Sequence, residues 1–341
     1  MTSKAFASTV VAVNVKKKPT ALLISPTFFE YYKNIISEFE ILGFNAIWMN
    51  TWLYENPFYK ILLRVAPGIV SRLSTHKYIR NTEAFQLEDV SEILVIKGEG
   101  LSIGFIRYLR RVFPRAHLNL YLWDGIENTR GATLIAPEFD SVSTFDPLDA
   151  QLFKWRHRPL FARKTETTEF NSANSVLYDW VFIGTLHSDR IAVLKRLSHS
   201  SGVQNFFAYG FIQGGVLWYL RHLTNPRLWR HGAINVSTMP IPSDQVNRIV
   251  QATKAVVDIE HPKQRGLTMR SIETLLMGRK LVTTNAEIKS SDLFHETRVY
   301  VIDRNNPYIP QEFLESPFLE ISQKIREKYR LRGWLKDVID Y

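Results

Sequence analysis

The sequence predicts an α/β protein of two doubly wound domains that face a cleft. Three observations carry that expectation. Short apolar runs alternate with segments of helical periodicity, which calls for mostly parallel sheets covered by helices. The alternation restarts near residue 180, after a polar and basic stretch without periodicity. The length, 341 residues, exceeds what one hydrophobic core ordinarily organises.

The first domain is expected over residues 1–155. Ala21, Leu22, Leu23 and Ile24 follow a lysine cluster and stop at Ser25-Pro26, the pattern of a buried strand entering a loop. Phe28, Tyr32, Ile35, Ile36, Phe39 and Leu42 recur at helix spacing up to Gly43, and a second strand follows over 44–49. A third strand, Ile93-Leu94-Val95-Ile96, ends at Lys97-Gly98-Glu99-Gly100. A helix over about 102–112 leads to a fourth strand over 118–123, which ends at Asp124-Gly125. Ligands of such sheets gather at the carboxyl ends of the strands, where Lys97, Glu99 and Asp124 stand.

Residues 156–178, with Arg156, Arg158, Arg163 and Lys164, read as the linker. The second domain, 179–318, repeats the opening architecture. Trp180-Val181-Phe182-Ile183 ends at Gly184, a helix carries Ile191, Leu194 and Leu197, and further strands fall over 206–208, 255–259, 280–284 and 299–302. A last helix is expected from Leu319 to Lys336 within the terminal segment 319–341.

Composition narrows the function. Charged residues at 22% and hydrophobic residues at 45% are ordinary globular usage. The absence of cysteine excludes disulfides, a thiolate zinc site and a cysteine nucleophile, and points to a reducing, cytoplasmic setting. The apolar stretch 5–15 is short, carries Ser8, Thr9 and Asn14, and precedes its lysines, so it makes a poor signal peptide. No run of about eighteen apolar residues exists to span a bilayer, so membrane contact is expected only at the periphery. The formal charge of +10 favours nucleotide phosphates, nucleic acid or an acidic lipid surface.

The chemistry concentrates between Asp258 and Asn285. A strand ends at Ile259, Pro262 and Gly266 shape a loop, and a helix starts near Leu267 or Thr268 and stops at Gly278. Its first turn has free N–H groups and the positive dipole end, a seat for phosphate to which Arg270 adds charge. Glu273, one turn on, offers a carboxylate to two ribose hydroxyls. Phosphate plus ribose means nucleotide. The alternative for these two residues is an exposed i,i+3 ion pair.

The run Gly266-Leu267-Thr268-Met269-Arg270-Ser271-Ile272-Glu273, followed by Gly278-Arg279-Lys280-Leu281-Val282-Thr283-Thr284-Asn285, resembles the donor-binding stretch of GT-B glycosyltransferases. The likeness is greatest to bacterial enzymes of capsule, exopolysaccharide and lipopolysaccharide synthesis, including the CgeB-related group. Val95-Ile96-Lys97-Gly98, Tyr121-Leu122-Trp123-Asp124, Phe145-Asp146 with Asp149, and the stretch from Phe182 to Arg190 support it. The resemblance implies two Rossmann-like domains, a nucleotide-sugar donor on the second, a glycan or glycolipid acceptor on the first, and a chain that returns to the first domain at its end. It implies no metal and no cofactor beyond the nucleotide-sugar, and no Asp-x-Asp or His-x-x-x-His pair with convincing ligand spacing occurs.

Within that frame the expected donor-site residues are His187, Arg190, His261, Gly266, Thr268, Met269, Arg270 and Glu273. Arg190 either neutralises the leaving group or caps its own helix. The histidines either donate to the leaving group or are surface residues. Glu99 and Asp124 are the candidates for the base that activates the acceptor hydroxyl, against the reading of both as turn residues. Epimerisation or hydrolysis on the same fold, or a non-catalytic binding module, are the competing functions.

Two aromatic, basic regions stand apart. Trp52, Tyr54, Phe58, Tyr59, Leu62, Leu63 and Val65 with Lys60 and Arg64, continued by Ile69, Val70, Arg72 and Leu73, suit either an interfacial helix or an insertion packed on its own domain. Trp218, Tyr219, Arg221, His222, Arg227, Trp229, Arg230 and His231 form a cluster with the make-up of a stacking surface, but no nucleic-acid module surrounds it and no nucleic-acid partner is expected.

Overall fold

A computed structural model describes residues 18–27, 30–52, 66–129, 131–163, 176–200, 205–212 and 234–341. The aromatic segments 53–65 and 213–233, and Phe28, lie outside the described residues. Two six-stranded sheets form, with every pairing parallel. The first contains β1 (Thr20–Ser25), β2 (Asn45–Asn50), β3 (Val90–Ile96), β4 (His117–Leu122), β5 (Ser141–Thr144) and β6 (Arg156–His157), in the order β2-β1-β3-β4-β5-β6. The second contains β7 (Tyr178–Thr185), β8 (Phe206–Phe211), β9 (Asn235–Ser237), β10 (Thr253–Asp258), β11 (Lys280–Thr283) and β12 (Val299–Val301), in the order β12-β11-β10-β7-β8-β9. These are two Rossmann-like units of the GT-B kind.

Strand order locates the crevices. The first sheet reverses direction of growth between β1 and β3, the second between β7 and β10. At such a reversal the flanking loops diverge to opposite faces and leave space at the carboxyl ends of the strands. Every residue of β1 is buried, as a strand covered by helices on both faces requires, which is why its sequence is an unbroken apolar run.

The helices that matter are α1 (Tyr31–Ile41), α2 (Pro67–Ala84), α3 (Ile103–Val112), α4 (Pro147–Phe153), α5 (Arg190–Ser200), α6 (Ser243–Gln251), α7 (Met269–Leu276), α8 (Gln323–Tyr329) and α9 (Leu331–Val338). α8 and α9 lie against the first domain. Trp334 of α9 packs its ring 4.8 Å from Tyr121 and 4.6 Å from Phe161, and Arg332 donates to Glu38 of α1 at 2.8 Å. Buried Tyr31, Ile35, Phe39, Phe161 and Trp334 share one apolar core with Leu267, Ile272 and Leu275 from the second domain. Apolar burial of that kind is worth about 1.5–3 kcal/mol per large side chain, so the two units are held by more than a tether.

The linker is shorter than residues 156–178. Arg156 and His157 pair with Ser143 and Thr144 as the edge of the first sheet. Leu160, Phe161 and Ala162 then enter the shared core, and the bridge Ala162–Arg330 ties the segment to the C-terminal helices. Among the described residues no helix is long and apolar enough to cross a membrane.

Candidate active site

The seat at β10 and α7 is built from satisfied polar groups. Thr268 caps α7 by accepting the Ser271 N–H at 3.0 Å, and both Thr268 and Ser271 donate their hydroxyls to the same Asp258 oxygen at the end of β10. Asp258 is therefore a cap anchor, fixing where the helix starts relative to the strand. Gly278, with φ of +70°, takes the left-handed conformation that ends the helix. The N–H groups of Met269 and Arg270 have no carbonyl behind them, as in the first turn of any α-helix.

Arg270 makes no hydrogen bond or ion pair with another described residue, although Tyr31 of the first domain and Arg190 of the second both feel its charge. Glu273 is not its partner: the Glu273 carboxylate, 9% exposed, accepts from Arg163 Nε at 3.0 Å. The Arg163 guanidinium in turn lies 5.3 Å from the centre of the Tyr31 ring. Burial, the largest influence, raises the Tyr31 pKa, and Glu273 adds to it while Arg163 and Arg270 pull the other way. The ion pair Arg270–Glu273 considered from the sequence does not form.

Arg190, first residue of α5, neither caps its helix nor pairs with an acid. Its Nη1 donates to the Thr185 carbonyl at 2.8 Å and its Nε to the Ile259 carbonyl, so it stitches the ends of β7 and β10 across the reversal point. Burial lowers its pKa most, with Asp258 and Glu260 acting against that. A Cβ at Gly184 would crowd the Phe182 ring at 3.2 Å and make only ordinary contact, 3.6 Å, with Arg190 Nη1. His187 and His261, from the two loops that leave β7 and β10, bring their rings to 5.7 Å. Burial first, then Arg190 and His261, push the His187 pKa down to about 4, so it is a neutral imidazole at neutral pH. Asp189 and Glu260 are used by Arg304.

In the first domain Lys97 brings both candidate bases together. Its ammonium is 3.2 Å from Glu99 and 3.1 Å from Asp124, at the adjoining carboxyl ends of β3 and β4. Burial by itself would lower the Lys97 pKa, but Asp124 and then Glu99 outweigh it and hold the pKa above its ordinary range. The backbone is specialised here. Lys97, Gly98 and Gly100 have φ of +70°, +65° and +83°. A Cβ on Gly98 would meet Ile135 at 2.8 Å, so the turn is tightly packed as well as left-handed.

A seam joins the two sites. One Asp146 oxygen caps α4 through Leu148 N–H at 2.9 Å and Asp149 N–H at 3.3 Å. The other accepts Arg265 N–H at 3.1 Å and Gly266 N–H at 3.3 Å from the loop that leads into α7. Asn285 holds the same loop from behind, donating to the Arg265 and Gly266 carbonyls at 3.0 and 3.3 Å. Gly266 is glycine for this contact: a Cβ would fall 2.4 Å from the Phe145 ring. Lys263 and Glu127 pair at 3.2 Å along the same border.

Of the residues singled out from the sequence, Thr268, Arg270 and Glu273 share α7 and its cap, His187 meets His261, and Glu99 and Asp124 both meet Lys97. Met269 packs against the shared core. Sequence reasoning missed Tyr31, Arg163 and the inter-domain role of Asp146. Tyr31 stands one position off the helical period that Tyr32, Ile35 and Ile36 set, and Arg163 falls in the stretch whose sequence reads as a linker. Asp146-Pro147 is a helix-start signal that identifies the cap but not the second pair of N–H groups. Among the described residues no group of three or more His, Asp or Glu could hold a metal ion.

No protein-family model matches the chain, and no curated protein matches it in sequence. Solved structures do match. The UDP-GlcNAc 2-epimerase of Neisseria meningitidis bound to UDP-GlcNAc gives a TM-score of 0.52 over 94% of this chain and 98% of that one, at 11% identity. An α-glucosyltransferase in complex with UDP and a mismatched 13-mer DNA gives 0.51 over 94% and 95%, at 10% identity. Anabaena HepE in complex with UDP and glucose gives 0.51 over 94% and 95%, at 12% identity. The chain shares the two-domain GT-B fold with them along nearly its whole length.

Proposed function

We propose that the protein is a glycosyltransferase that moves a sugar from a nucleotide-activated donor to a glycan or glycolipid acceptor. The observation that carries the reading is Arg270, a cation with no hydrogen-bond or ion-pair partner among the described residues, in the first turn of α7, at the crevice of the second sheet and in reach of the first domain. A diphosphate there meets the free N–H groups, the positive helix end and a guanidinium together. The leaving diphosphate is neutralised by these groups without a metal, and the neutral His187 stands beside it as a hydrogen-bond donor. The second Glu273 oxygen serves a ribose hydroxyl while Arg163 orients the first.

Glu99 or Asp124 takes the proton of the acceptor hydroxyl, and Lys97 holds the two carboxylates in register. Resemblance of the donor stretch to surface-glycan enzymes supports a bacterial polysaccharide acceptor. Epimerisation is the second reading, favoured by the match to an epimerase that holds UDP-GlcNAc.

A thermal-shift screen with UDP, GDP, CMP and dTDP tests the seat, because a ligand of the folded state raises the melting temperature. Incubation with the sugar form of the best nucleotide then separates the readings. Sugar transferred only when acceptor is present supports the proposal. An isomerised nucleotide-sugar, or free sugar, without acceptor overturns it in favour of epimerisation or hydrolysis.

A further inference from the structure

We propose that the outward face of α2 is a docking surface for a bilayer containing anionic phospholipid, a property independent of the nucleotide seat. α2 buries Val70, Ser74, Tyr78 and Thr82, one residue per turn, against its own domain. The opposite face carries Ile69, Arg72, Leu73, His76, Lys77 and Arg80, all exposed. At 3.6 residues per turn these six fall within an arc of about 140°. Ile69 is 64% exposed and Leu73 76%, one turn apart at the start of the helix, with the basic side chains following them. One acid, Glu83, joins the face in its last turn.

Two protruding aliphatic side chains set among arginine and lysine match the layered chemistry of a membrane surface. Ile69 and Leu73 enter the acyl boundary while the long basic stems carry their charges up to the phosphates. A nucleic acid would call for aromatic stacking groups between the cations, and this face has none. The net charge of +10 acts in the same direction.

Position gives the surface a purpose. Thr75 Oγ1 lies 2.7 Å from Ser102 Oγ, and Tyr78 donates to the Thr51 carbonyl at 2.6 Å, so the middle of α2 is tied to the carboxyl edge of the first sheet. That is the edge that holds Glu99. A bilayer seated on α2 presents its headgroups on the side from which a lipid-borne hydroxyl reaches the carboxylates.

The test is co-sedimentation of the full chain with phosphatidylcholine vesicles, with and without phosphatidylglycerol, at low and moderate salt. Expected are binding to the phosphatidylglycerol vesicles that weakens with salt, and a loss of tenfold or more in Ile69→Glu/Leu73→Glu. A second variant, Arg72→Glu/Arg80→Glu, is expected to lose about as much, roughly fivefold per charge contact removed. All of these side chains are exposed, and unchanged melting temperatures with unchanged nucleotide shifts show that the seat is intact. No binding of the parent protein at low salt, or equal binding by the parent and both variants, overturns the proposal, while the nucleotide screen stands or falls separately.

Discussion

The two crevices treat charge in opposite ways. At the first sheet a single ammonium, Lys97, is shared by two carboxylates, so the local balance is acidic. At the second sheet the acids are consumed by structure: Asp258 anchors the α7 cap, and Glu260 and Asp189 hold Arg304. Among the described residues, what remains there is Arg270, the carbonyl-bound Arg190 and a helix N-terminus. A surplus of carboxylate suits the removal of a proton, and a surplus of cation suits the holding of phosphate. In the proposed transfer reaction, this division puts the base on one domain and the leaving group on the other.

The largest expected effect breaks this division from the acidic side. Glu99→Gln and Asp124→Asn each remove a carboxylate while keeping shape, and the variant that loses the base should lose 10²- to 10⁴-fold in turnover. Nucleotide affinity, measured by calorimetry, should stay within about twofold in both. If both variants keep full turnover, the first crevice does not supply the base. Arg270→Ala tests the other side. Loss of a charge-assisted contact to diphosphate should weaken nucleotide binding by about 10- to 100-fold, and a normal affinity would remove Arg270 from the seat.

Much of the fold was legible because parallel strands covered on both faces are unbroken apolar runs, as in β1, β3, β7 and β10. β5, β6 and β9 were not. Ser141-Val142-Ser143-Thr144 is too polar to announce a strand, and Arg156-His157 is two residues held by the register of its neighbour. α2 is legible only at its start, through Ile69, Val70, Arg72 and Leu73, because three of the four residues it buries, Ser74, Tyr78 and Thr82 beside Val70, carry a hydroxyl. The site followed the same rule. Local features such as the Thr268 cap and the Gly98 turn have sequence signals, whereas Arg163 on Glu273 and Asp146 on Arg265 span 110 and 119 residues and come only from packing.

That seam supplies the third prediction. Asp146 accepts four backbone N–H groups, two from its own helix and two from the second domain. Asp146→Ala should cost about 2 kcal/mol in denaturant unfolding, the sum of a lost cap and part of the desolvation of two N–H groups. Because the lost bonds position the loop before α7, nucleotide affinity should fall as well. Asp149→Ala, which loses only the Ile126 N–H contact, should affect stability less and leave affinity alone. Equal loss of affinity in both would mean that the loop is not held by Asp146.

The smallest effect sharpens what Lys97 does for its carboxylates. Glu92 lies at the other end of β3, without a cation: its partner is the Asn119 amide at 3.1 Å. Burial raises its pKa to about 7, with Asp340 and Asp140 adding to the rise and Asn119 opposing it. A carboxyl group whose pKa is raised on folding stabilises nothing as an anion. The contribution of Glu92 to stability is fully present below the ordinary value of 4.5 and is lost as pH climbs through 7. Glu92→Gln should therefore match the parent near pH 4.5 and exceed it above pH 7. Partial exposure of Glu92 screens the effect to on the order of 1 kcal/mol, or about 2 °C in melting temperature. Because His187 titrates in the acid range as well, the difference between variant and parent is the quantity to follow. A difference that does not change with pH would show that Glu92 is already ionised in the folded protein, and that a carboxylate on this strand needs no lysine to be tolerated.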